Sequence, residues 1–221
     1  MKPLLLFTGI VGLALTTMSN LVQKPFDEGI LQYDISIISA KNEPTTLNTL
    51  DGAVITLYLR QDMSRSEMKS TLGTEATVFN NATGNGFILK EYSGQKLMIT
   101  MNAANWNQKN KTNDNLSFTV SNETVTIGNY TCKKATATMA DGKLFTVYYD
   151  PSVVISNKKY NNAFSKLNGL PVQYEIQSGN LTFKYTLKSL TDEPVPASRF
   201  EAPKSGFRVM TYEENQQLKK G

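Results

Sequence analysis

Three observations predict a mainly β, single-domain protein built on one large antiparallel sheet with one or two short helices. They are a two-residue hydrophobic period, turn residues at close spacing, and little helical periodicity. In Leu31-Gln32-Tyr33-Asp34-Ile35-Ser36-Ile37 every odd position is apolar and every even one polar. Leu181-Thr182-Phe183-Lys184-Tyr185-Thr186-Leu187-Lys188 repeats the pattern without an error. Successive side chains of a strand point to opposite faces, so each segment predicts one wet face and one buried face. Antiparallel sheets accept that arrangement, whereas parallel strands covered on both sides read as continuously apolar.

The chain opens with Met1-Lys2 and an uncharged apolar run from Leu4 to Leu15, followed by Thr16-Thr17-Met18-Ser19. The run falls short of the ~20 residues a membrane-spanning helix needs. Its layout is that of a secretory leader, with Thr17 and Ser19 as small residues before the cut. The expectation is a signal peptide over 1–19, one β-rich domain over 20–221, and a periplasmic or secreted destination. No Cys lies in the leader to carry a lipid, and no later segment reads as transmembrane.

Between the two alternating segments, strands are expected near 54–60, 63–70, 75–80, 86–92, 95–101, 116–121, 123–128, 130–139, 143–150 and 171–177. Ser93-Gly94 and Asp141-Gly142 are tight hairpin signals; Gly128-Asn129 and Ser178-Gly179-Asn180 serve similarly. Short strands joined by short turns predict a meander. Residues 63–70, charged on one face and lightly apolar on the other, read as a protected edge strand. Helix is expected only over 161–169, for about two turns, and after Thr211, where Thr211-Tyr212-Glu213-Glu214 has capping-box spacing. That last helix carries few apolar residues and should fray.

Residues 102–115 are polar, rich in Asn, and centred on the single Trp106. A loop of this length is uncommon in a compact domain. It reads either as a lid whose Trp106 closes on a ligand or as a connector with Trp106 tucked against the sheet edge.

Composition excludes several chemistries. The chain has no His, which removes the usual general base near neutral pH and the commonest transition-metal ligand. A single Cys132 cannot form an internal disulfide. Asp and Glu fall between strands or on their polar faces, and no dinucleotide, Walker or EF-hand loop occurs. No enzyme activity, cofactor or metal is therefore expected. The formal charge of +4 and the pI near 9.0 come without a basic stripe, so nucleic acid is not an expected partner.

Several short motifs carry a family resemblance. Thr126-Ile127-Gly128-Asn129-Tyr130-Thr131-Cys132-Lys133-Lys134-Ala135, then Tyr148-Tyr149-Asp150, then Leu167-Asn168-Gly169-Leu170-Pro171-Val172, resemble the pattern of secreted proteins of the GLPGLI kind. After Pro171 the chain has Val172-Gln173 where that pattern has Gly-Leu. Pro196-Ala197-Ser198-Arg199-Phe200-Glu201-Ala202-Pro203 with Gly206-Phe207 is similar to the ending of a related family of uncharacterised exported Gram-negative proteins. Both are grouped with the LolA/LolB-like superfamily. The resemblance implies a half-barrel whose concave apolar face holds a lipid or a lipoprotein acyl chain.

Two functions follow as expectations. One is a non-enzymatic periplasmic carrier or sensor of an amphiphile, with Phe87, Leu89, Leu97, Ile99, Met101 and Trp106 as candidate ligand-binding residues. The same apolar residues serve equally as plain core. The other is an envelope protein-interaction module with a filled core and no small-molecule ligand. Carbohydrate binding by the Asn/Trp segment is a third, resting on one aromatic.

Overall fold

A computed structural model describes residues 22–39, 50–114, 116–178 and 181–219. The leader expected over 1–19 lies outside them. The strands are β1 (Lys24–Phe26), β2 (Glu28–Ser39), β3 (Val54–Arg60), β4 (Met63–Ser70), β5 (Gly73–Asn80), β6 (Asn85–Tyr92) and β7 (Gln95–Met101). Helix α1 (Ala103–Asn110) follows, then β8 (Thr119–Ile127), β9 (Tyr130–Thr138), β10 (Leu144–Asp150) and β11 (Val153–Ile155). The chain continues through β12 (Leu170–Ser178), β13 (Leu181–Thr191), β14 (Arg208–Thr211) and helix α2 (Tyr212–Leu218).

Twelve strands form one curved sheet that does not close into a barrel, in the order β14-β7-β6-β5-β4-β3-β2-β13-β12-β10-β9-β8. The order records how the chain is laid down. From β2 to β7 it steps outward by antiparallel hairpins. Residues 102–118 then carry it from one end of the sheet to the other, where β8 begins a second meander that returns through β9, β10 and β12 to β13. There β13 pairs with β2, from Leu181↔Ser39 to Thr191↔Ile30, and joins the halves. Among the described residues only the short β14 adds parallel to this sheet, against β7. β1 and β11 make a separate parallel pair.

Local chemistry explains the hairpins. At the β6–β7 turn Ser93 and Gly94 both have positive φ, 51° and 78°, the backbone of a two-residue turn whose twist matches its strands. In β13 the register slips between Leu187 and Ser189. Lys188 is thereby left exposed while Leu187 opposite Tyr33 and Leu190 opposite Leu31 stay on one face.

Directly paired residues share a face, so the register divides the sheet into two. The inner face carries Leu31, Tyr33, Leu57, Leu59, Phe79, Ile88, Ile99, Val147 and Tyr174. The outer face is polar across much of its width. At the β5–β6 end, however, it carries Ala76, Val78, Phe87 and Leu89, all buried under Val195 and Phe200. Arg60 and Arg65 donate to the carbonyls of Val195 and Arg199, each at 3.2 Å, and the Val195 amide donates to Glu28 at 2.7 Å. The expected single dry side is thus replaced, at this end, by apolar packing on both faces.

Other expectations also change. β4 lies in the interior of the sheet between β3 and β5 and is not an edge; its inner positions Ser64 and Ser66 are small and polar, which imitates an edge pattern in sequence. Candidates 116–121 and 123–128 are one strand, β8, with a register break between Val120 and Thr124. The helix expected over 161–169 is a single 3-10 turn, Asn162–Phe164. The C-terminal capping box forms as expected: Thr211 Oγ1 accepts from the Glu214 amide at 3.1 Å and Glu214 accepts from the Thr211 amide at 2.7 Å.

Candidate functional site

The inner face is crossed by two connecting segments, and the candidate site lies where they meet the sheet. The first is the 102–118 connection. It opens as α1 rather than as an irregular loop, because Asn102 and Asn105 cap it reciprocally, each accepting from the other's amide at 3.0 Å. Asn105 also donates to Glu213 at 2.6 Å, tying α1 to α2. This places the Trp106 ring on Phe79, with centroids 4.2 Å apart and planes 8° from parallel. Gly86 makes room for that stack: a Cβ there would stand 2.8 Å from Phe79 Cδ2 and 2.4 Å from the Val78 carbonyl oxygen.

The second is the strap of residues 156–169 between β11 and β12. The Ser156 amide donates to the Phe26 carbonyl at 3.1 Å and Lys158 Nζ donates to the Leu167 carbonyl at 3.3 Å. Asn161 caps the 3-10 turn by accepting from the Ala163 amide at 3.1 Å. The turn directs Phe164 onto the sheet, edge-on to Tyr174 at 4.9 Å and 5.9 Å from Phe145. Tyr174 in turn stacks on Tyr185 at 4.7 Å.

Two small apolar recesses flank Phe164. One, of about 70 Å³, is lined by Leu116, Met139, Phe145, Ala163 and Ile176; the other, of about 80 Å³, by Tyr33, Ile55, Leu57, Ser66 and Tyr160. Asn161, Phe164 and Tyr174 border both. A third recess, about 400 Å³ and mostly polar, lies between α1, the β5–β6 turn and the strap.

Burial pushes the hydroxyls of Tyr33, Tyr160 and Tyr174 well above the usual tyrosine range, with neighbouring tyrosines adding to the shift. Tyr33 spends its proton on the Pro171 carbonyl at 2.8 Å. Burial likewise raises the Cys132 thiol to about 11, followed by the charge of Asp150. Tyr33, Tyr160 and Tyr174 are therefore uncharged, and they present neutral aromatic surface beside Phe164.

The six sequence candidates separate into two groups. Phe87 and Leu89 lie on the outer face, packed with Val195 and Phe200. Leu97, Ile99, Met101 and Trp106 lie together on the inner face with Phe79, Ile88 and Met210. None of the six borders the two recesses beside Phe164, and Trp106 borders the polar one. The residues that sequence reasoning missed are Phe145, Phe164 and Tyr174. Tyr174 and Tyr185 sit at alternating apolar positions, but a lone Phe within Asn161-Asn162-Ala163-Phe164-Ser165-Lys166 gives no sign of facing a sheet.

Fold and site together define a mainly β protein with one open, curved sheet and a strapped inner face. No helix among the described residues is long and apolar enough to cross a membrane. No family model matches the chain, and no curated protein matches it. Among solved structures it is similar to PNGF-II over 86% of this chain, at 13% identity and a TM-score of 0.48. The chain spans only 32% of that protein. It is also similar to an uncharacterized conserved protein from Thermus thermophilus (83% of this chain, 90% of that one, 9% identity, TM-score 0.49). A third likeness is to MucB (81% of this chain, 58% of that one, 8% identity, TM-score 0.41).

Proposed function

We propose that this chain is a non-enzymatic protein of the bacterial periplasm that holds an acyl chain against the inner face, with Phe164 as a displaceable plug. The observation that carries the proposal is the pair of apolar recesses that both border Phe164, with Asn161 and Tyr174 completing their common wall. Phe164 is mounted on a three-residue turn outside the sheet, so it can move without breaking strand pairing. Withdrawing it opens the wall shared by the two recesses, between the side lined by Leu116 and the side lined by Ile55. Each methylene buried there contributes about 0.8 kcal/mol, enough for an acyl chain to offset the cost of ordering it. The leader-like N-terminus and the resemblance to the LolA/LolB-like superfamily favour the same reading. The test is titration of the purified protein with a polyene fatty acid, whose fluorescence rises on leaving water, alongside native mass spectrometry of protein recovered from cell envelopes. Saturable uptake with retained lipid is expected; no uptake by either measure overturns the proposal.

A second reading is favoured by the free edge of β8. Among the described residues this nine-residue strand ends the sheet, with Val120 half exposed. Its outer backbone groups offer a template for a strand from an envelope partner. Photo-crosslinking from position 122 in cells tests it: a discrete adduct is expected, and its absence removes the reading.

A further inference from the structure

We propose that the polar recess beside α1 is a second binding site, for a neutral saccharide. Beside the apolar Phe79 and Ala103, its walls carry Asn81 of the β5–β6 turn, Trp106 and Asn107 of α1, Asp114, and Lys159, Asn162 and Ser165 of the strap. At about 400 Å³ it lies within the range of roughly 300–1,000 Å³ found for small-molecule sites.

Two side-chain atoms of residues bordering the recess are buried without a partner: the Trp106 indole N–H, on a side chain only 6% exposed, and Asn81 Oδ1. The Asn81 amide nitrogen is already committed to Asn157 Oδ1 at 2.6 Å, which fixes the side chain with its oxygen left over. Buried polar groups are almost always paired, so an orphan donor and an orphan acceptor on one recess mark where a ligand's groups belong. Asn107, Asn162 and Ser165 add groups that both donate and accept.

The ligand class follows from that inventory. Hydroxyls donate and accept at one atom, matching a wall of amides, an indole N–H and a serine. Lys159 and Asp114 bear opposite charges and select no net charge on the ligand. One face of Trp106 is covered by Phe79, so the indole serves this site through its N–H as well as any remaining ring edge.

Trp106 is the single Trp of the chain, so all indole emission comes from this one position bordering the recess. The protein is titrated with cellobiose and with N,N′-diacetylchitobiose, following Trp106 emission. A saturable change with at least one of them is expected, at millimolar concentration or below. Asn107→Ala, at an exposed position of α1 that Ala suits, is expected to weaken it tenfold or more. Trp106→Phe keeps a ring on Phe79 but lacks the N–H; followed by calorimetry, it is expected to weaken binding at least as much. No saturable response to either sugar overturns the proposal, as does parent-like affinity in both variants. Fatty-acid uptake involves other residues, so the two proposals fail separately.

Discussion

The indole of Trp106 lies flat on the phenyl ring of Phe79, 4.2 Å between centroids, and pins α1 to the inner face of β5. Trp106→Ala removes this ring and the packing around Ile99, Met101 and Met210. The expected loss is about 3–5 kcal/mol, as for other large aromatic truncations. Urea unfolding followed by far-UV circular dichroism checks it. A loss below about 1 kcal/mol would mean the ring is not a core element.

Gly86 is required by the same stack. Gly86→Val places a Cβ against the Val78 carbonyl, which cannot yield without moving a strand, and against the Phe79 ring, which cannot yield without disturbing Trp106. Overpacking of this kind costs about 1–3 kcal/mol or more. Loss of Trp106 emission intensity or a shift in its maximum in the native state should accompany the lower unfolding midpoint.

Arg65 and Glu67 form a nearly enclosed ion pair on the outer face, 2.6 Å apart, and Arg65 also holds the Arg199 carbonyl. Burial alone would raise the Glu67 carboxyl, but hydrogen bonds from Arg65 and Lys69 outweigh it and bring it below the usual range. A lowered folded-state value means stability present above the unfolded value near 4.5 and lost as pH falls below it. Arg65→Met leaves Glu67 with Lys69 alone, 3.2 Å away, and removes the bond to the Arg199 carbonyl, so about 1–3 kcal/mol should be lost at neutral pH. Comparing urea midpoints at pH 7 and pH 4 tests this: the deficit of the variant should shrink at the lower pH, where Glu67 can take a proton.

Alkaline pH acts through the tyrosines. Tyr33, Tyr160 and Tyr174 have hydroxyls raised by burial well above 10.0. A raised folded-state value gives stability that is complete below the unfolded value near 10 and declines as pH climbs past it. Unfolding midpoints should therefore hold to about pH 9 and drop steeply above pH 10. Tyr160→Phe, which removes a hydroxyl without a partner, should lessen the drop and leave the neutral midpoint equal or higher.

Strands were legible in the sequence where one face is wet. Residues 54–60, 63–70 and 95–101 coincide with β3, β4 and β7, and Thr211/Glu214 announced α2. Position in the sheet was not legible. Ser64 and Ser66 make β4 look like an edge, though it is enclosed by β3 and β5. The run Phe87-Ile88-Leu89 is apolar because both faces are covered there, Ile88 by Trp106's cluster and its neighbours by Val195 and Phe200. The sequence therefore groups Phe87 and Leu89 with Leu97, Ile99, Met101 and Trp106, although the sheet puts the first two on its other face and leaves Ile88 with the rest. Helix α1 was missed because its capping pair is Asn with Asn and only Trp106 among its larger side chains is apolar. The candidate site was the least legible part, since Phe164, Tyr160 and Tyr174 come together only when a 3-10 turn is laid across strands distant in sequence.

The plug role of Phe164 is tested most directly by comparing Phe164→Ala and Phe164→Trp in the fatty-acid titration, after circular dichroism has established that both retain the sheet. Phe164→Ala opens the wall shared by the recesses in advance and should bind about tenfold more tightly than the parent, a gain near 1.4 kcal/mol. Phe164→Trp fills them and should bind more weakly. Equal affinity in all three proteins, or tighter binding by the Trp variant, would contradict acyl binding beside this residue.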